Sequence, residues 1–117
     1  MRVFVYWNLH KGLWSVRALE GAERGRVILR APTLTLHNAI GRVGEAGRLR
    51  VIREKRKNVH AGIVGILAPP PPALPAPLRG ITYNPYKNTG FVYRDDGNAF
   101  NGASIAVLGS DRSVGVA

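Results

Sequence analysis

Apolar and polar positions alternate along the first part of the chain and then change period once. Residues 2 to 8 are rich in β-branched and aromatic types and end in the polar group Asn8-Leu9-His10-Lys11-Gly12. From Leu13 the alternation resumes, with Trp14, Val16 and Ala18 facing one way and Ser15 and Arg17 the other. The pattern predicts a β-hairpin. Glu20 to Gly25 supplies turn chemistry, and Val27-Ile28-Leu29 and Leu34-Thr35-Leu36 predict two further short strands split by Pro32. Between Glu45 and Lys57 the repeat becomes helical. Ala46, Leu49 and Ile52 or Arg53 recur at helical spacing, Glu45 sits in the first turn where the macrodipole favours an acid, and basic residues crowd the last turn. This predicts one short basic amphipathic helix, ended by Asn58. Val59 to Leu67, uncharged and rich in β-branched residues and glycine, then reads as a buried strand.

The stretch Asn58 to Leu78 carries no Lys, Arg, Asp or Glu, but prolines at 69, 70, 71, 72, 75 and 77 forbid a membrane-spanning helix there. Residues 68–78 are expected to form an extended, polyproline-like loop, a stiff spacer rather than an SH3 ligand despite the spacing of Pro72 and Pro75. Beyond it, Ile81-Thr82-Tyr83, Phe91-Val92-Tyr93 and Ala103 to Leu108 are strand candidates, Asp95-Asp96-Gly97-Asn98 is a hairpin turn, and residues 109–117 read as a tail. The expected architecture is a single α+β domain over residues 1–108, a twisted, largely antiparallel sheet of about five to seven strands with one basic helix.

Charge changes this picture of an ordinary small domain. The 117 residues are 45% hydrophobic and only 21% charged, too apolar for a disordered basic tail, yet their net charge is +10. Six of the ten residues from Arg48 to Lys57 are basic (Arg48, Arg50, Arg53, Lys55, Arg56 and Lys57), opposed within that run only by Glu54. Surplus charge concentrated on one element favours a polyanion over a neutral metabolite. On a helix ending at Lys57, Arg50, Arg53, Arg56 and Lys57 would share a broad face, flanked by Arg48 and Lys55. Tyr83 and Tyr86 bracket Asn84-Pro85 in a turn-like segment and are the aromatic residues expected to be exposed for stacking on unpaired bases. Absence of cysteine rules out disulfides and thiolate metal sites and suits a reducing interior.

Candidate chemistry is sparse. Metal-independent phosphodiester cleavage needs a base, an acid and a cation, which His10, His60 and Lys57 could supply, although nothing in the sequence brings them together. His37 is a weaker candidate. The adjacent Asp95 and Asp96 are explained by their turn, so neither a metal nor any other cofactor is expected. Glycines 41, 44 and 47 precede the helix without matching a dinucleotide or Walker pattern, and read as flexibility.

The segments Tyr6-Trp7-Asn8-Leu9-His10-Lys11-Gly12-Leu13-Trp14-Ser15-Val16, Glu45-Ala46-Gly47-Arg48 and Arg56-Lys57-Asn58-Val59-His60-Ala61 resemble an uncharacterised family of small basic proteins encoded by bacteriophages. The resemblance covers residues 3 to 67 and Thr82 to Tyr86, and it implies a viral setting, in the host cytoplasm or the virion. It carries no activity and no catalytic residue. Together with the charge it favours a phage protein that binds DNA or RNA through phosphate contacts with little base specificity, and that has no membrane partner. The alternatives are a virion structural or assembly component that contacts other virion proteins or itself, and a metal-independent ribonuclease or an anti-host-defence protein.

Overall fold

The alternation at the N-terminus builds β1 (Arg2–Asn8) and β2 (Leu13–Ala18). Their register, Val5↔Val16 and Trp7↔Trp14, lays apolar residues on one face, while Phe4↔Arg17 and Tyr6↔Ser15 occupy the other. Asn8 shapes the turn between them. Its side-chain oxygen accepts from the backbone N–H groups of His10 (3.0 Å) and Lys11 (3.1 Å), and Gly12 supplies the φ of +63° that closes it.

The computed structural model describes residues 1–74 and 77–117. Beyond the hairpin come β3 (Val27–Ala31), β4 (Leu34–Val43), α1 (Glu45–Glu54), β5 (Ala61–Ala68), β6 (Arg79–Thr82), β7 (Val92–Tyr93), β8 (Ala103–Leu108) and β9 (Val114–Val116). The strands join one sheet in the order β3-β2-β1-β5-β4-β8-β9-β6-β7, and every pairing is antiparallel. The fold is therefore α+β, a sheet-dominated architecture with one helix among the described residues. Its nine strands exceed the five to seven expected from pattern alone.

Three differences from the sequence reading have physical causes. Strand β4 runs on past Leu36 to Val43, because a bulge between His37 and Ile40, with Asn38 at φ 51°, breaks the alternation without breaking the pairing. Helix α1 stops at Glu54, where Lys55 turns left-handed (φ 55°) and donates its N–H to the Val51 carbonyl, so Arg56 and Lys57 lie beyond the helix. Residues 109–117 are not a tail: β9 pairs with both β8 and β6, and Val114 and Val116 are buried. The Pro-rich segment is irregular after Ala68, which ends β5; Pro75, and with it the Pro72 to Pro75 spacing, lies outside the described residues.

The sheet curls around its own core. Trp14 of β2 donates its indole N–H to the carbonyl of Gly109, beyond β8, at 2.9 Å, a contact between strands far apart in the sheet order that a flat sheet could not make. The concave face so formed holds Leu36, Ile63, Leu108, Val3, Val5 and Val16 fully buried, with Trp7 packed edge-on against Trp14 at 5.1 Å between ring centroids. Arg79 closes the β6–β7 end. Its guanidinium lies 3.6 Å from the Tyr93 ring centroid and grips Asp95 through two hydrogen bonds (2.9 and 3.0 Å), with Asp96 at 3.3 Å. Asp96 also accepts from the Asn98 N–H, and Gly97 has a φ of +75°, so the Asp95–Asn98 segment forms the expected turn.

Candidate nucleic-acid interface

Strands β4 and β5 are neighbours in the sheet, and their connection, residues 44–60, carries the whole basic run. The excursion closes at its base, where Val43 pairs with Ala61 and the Gly44 N–H donates to the His60 carbonyl at 2.7 Å. The basic helix is thus an insertion in the central hairpin, standing out from the sheet rather than packed across a face. Among α1 residues only Val51 is fully buried, which leaves Arg50 and Arg53 exposed one helical turn apart, followed by exposed Lys55, Arg56 and Lys57. None of these five cations meets a carboxylate among the described residues.

Arg48 does not belong to that set. Its Nε and Nη2 donate to the Glu45 carboxylate (3.2 and 3.1 Å), its Nη1 donates to the Pro85 carbonyl (3.1 Å), and the side chain is 15% exposed. The hydrogen-bonded pairing holds the Glu45 carboxyl below and the Arg48 guanidinium above their ordinary ranges. Arg48 therefore clamps the start of α1 to the 84–88 turn instead of presenting a free charge.

His60 is similarly engaged. Its Nδ1 lies 3.1 Å from both the backbone carbonyl and the side-chain oxygen of Asn58, which can only accept, so the ring proton sits on Nδ1. The Nε2 then accepts from the Tyr83 hydroxyl at 2.8 Å, a proton that burial keeps in place by pushing the phenol above its usual range. Both ring nitrogens are occupied. His10 lies in the β1–β2 turn, at the same end of the sheet as the start of β5, but no hydrogen bond or ring contact among the described residues joins it to His60 or Lys57. His37 is exposed on β4.

Tyr83 and Tyr86, expected together as stacking residues, are separated in role. The Tyr83 ring packs between His60 (5.5 Å) and Phe91 (5.4 Å) and is half-buried. Tyr86 is 59% exposed on a turn held by Asn84, whose side-chain oxygen accepts the Tyr86 N–H at 2.9 Å. Of the three glycines at 41, 44 and 47, Gly41 and Gly47 serve close approach rather than flexibility. A Cβ on Gly41 would lie 2.8 Å from the Phe91 ring, and one on Gly47 would lie 2.5 Å from the His60 Cβ.

A further cationic group was hidden from the sequence. Two neighbouring rungs of the same face meet here: Arg17 (β2) pairs with Phe4 (β1), and one rung along Arg42 (β4) lies opposite Gly62 (β5), all on the convex face. The Arg17 guanidinium lies 5.7 Å from the Phe4 ring centroid and 5.5 Å from that of Tyr6, and Arg42 lies 5.9 Å from Phe4. Alternation in β1 and β2 signals that Phe4, Tyr6 and Arg17 share a face; bringing Arg42 to them requires the strand order.

Among the described residues no helix is long and apolar enough to cross a membrane. No solved structure matches the chain. The Gene 82 protein of Mycobacterium phage L5 is 48% identical to it over 122 residues, covering 97% of this chain and 94% of that protein. The family model described as Mycobacterium phage L5 gene 82 protein matches residues 1–116, and the chain belongs to that bacteriophage family.

Proposed function

We propose that this phage protein binds nucleic acid through phosphate contacts from the excursion between β4 and β5, with little base specificity, in the infected cell or within the virion. The observation that supports this is the display of Arg50, Arg53, Lys55, Arg56 and Lys57 on a protruding segment, exposed and without carboxylate partners among the described residues. Cations left unpaired on a projecting element raise the local potential and release counterions when they meet phosphates. Replacing Arg50, Arg53 and Lys57 together with glutamine is expected to weaken binding to all sequences about equally and to make the dependence of log affinity on log salt about 2 to 3 units shallower. Titration of labelled oligonucleotides checks this, and unchanged affinity would leave the segment as a solubility feature.

A second reading, virion assembly, rests on the exposed apolar residues Ile28 and Leu29 of β3, the strand at one open edge of the sheet. It predicts ordered self-association of the isolated protein together with weak, salt-insensitive DNA binding, the opposite of the first reading on both counts.

A further inference from the structure

We infer that the convex-face pocket beside the basic excursion takes one unpaired nucleotide, so that the partner is a single strand rather than a duplex. The inference rests on the phosphate-binding reading above and specifies its substrate.

The pocket has a volume of about 250 Å³ and is lined by Phe4, Arg17, Leu19, Arg42, Val59 and His60, together with Gly44 at the start of α1. Sites that enclose whole drug-sized ligands run to roughly 300–1,000 Å³, so this one suits a single base with its phosphate left outside. Val59 ties the pocket to the segment that carries Arg56 and Lys57, placing it where a strand following those cations would pass.

The chemistry of the lining separates a base from a bare phosphate. Phe4 points to the solvent side of the sheet yet is only 7% exposed: its ring lies against Gly62, and the guanidinium groups of Arg17 and Arg42 lie 5.7 and 5.9 Å from its centroid. The two guanidinium groups are therefore held near an aromatic floor, and neither meets a carboxylate among the described residues. A guanidinium supported on one side by an aromatic ring offers its other side for stacking on a base, and its N–H edge remains free for a phosphate oxygen. Leu19 and Val59 supply apolar contact for a base edge. A duplex keeps its bases stacked inside and would present only phosphates here, so this floor would go unused.

The test compares oligo-dT and oligo-rU with a duplex of equal length, by fluorescence anisotropy at one salt concentration, using the full chain and the double variant Arg17→Lys, Arg42→Lys. Lysine keeps the charge and loses the planar stacking surface. The expected result is that the unaltered protein holds either single strand about tenfold more tightly than duplex, and that the variant loses this preference while its duplex affinity stays within about twofold. Equal affinity of the unaltered protein for single strand and duplex overturns the inference and leaves phosphate binding standing; no binding of either overturns both. Photocrosslinking of the unaltered protein to 4-thiouridine-containing RNA gives a result independent of the variant's stability. Crosslinks in β1 or β2, at Phe4, Tyr6 or the residues beside Arg17, are expected, and crosslinks confined to residues 53–57 would overturn the inference.

Discussion

A chain ending at Gly109 is expected to lose cooperative folding. The eight residues removed include β9, which pairs with β8 on one side and β6 on the other. Val114 and Val116, 8% and 3% exposed, each contribute about 1.5–3 kcal/mol by burial. Against a net stability of about 5–15 kcal/mol for a domain of this kind, that loss alone is large. Deletion also strips the ladder from β6 and β8 and detaches β6 and β7, whose Ile81 and Tyr93 pack with the core cluster, from the rest of the sheet. Thermal melting followed by circular dichroism checks this. A cooperative transition within a few degrees of the full chain would show that β9 is dispensable.

Gly62→Ala is expected to destabilise the protein by about 3 kcal/mol and to lower its melting temperature by roughly 10 °C or more. A Cβ at this position would collide with the carbonyl oxygen of Val5 and lie 2.8 Å from the Phe4 ring, so either the β1–β5 pairing or the Phe4 rung must shift. The first of these obstacles is backbone in a paired strand, which cannot swing away. Gly90→Ala is the matched control, since a Cβ there meets no atom within 4 Å and the backbone needs no positive φ. It is expected to change stability by no more than about 1 kcal/mol. Equal effects of the two substitutions would contradict the close packing described for Gly62.

These two positions mark where the sequence stops being informative. Val114-Gly115-Val116 is too short and too close to polar turn residues for its period to register as a strand; only the gap between β8 and β6 gives it a place. Gly62 looks like any glycine in an apolar run until Phe4 of the neighbouring strand is laid beside it. The N-terminal hairpin was legible because alternation and the Asn8–Gly12 turn agree, and the helix start was legible from Glu45 and the change of period. Its end was not, because a left-handed lysine cap leaves no mark in residue type, and this moved Arg56 and Lys57 off the helix. Of the candidate site, the exposed charges from Arg50 to Lys57 were visible as composition. The internal partners of Arg48, His60 and Tyr83 were not, since each depends on a contact from a distant segment. The Arg17–Phe4–Arg42 cluster was hidden for the same reason.

Phosphate binding by the unpaired cations of the excursion between β4 and β5, as proposed, makes affinity depend on salt. The most direct measurement is the affinity of the full chain for a labelled oligonucleotide across a salt series. With about four or five phosphate contacts, log affinity should fall linearly with log salt at a slope of roughly −3 to −4.5. A slope near zero, or no binding even at low salt, would contradict it.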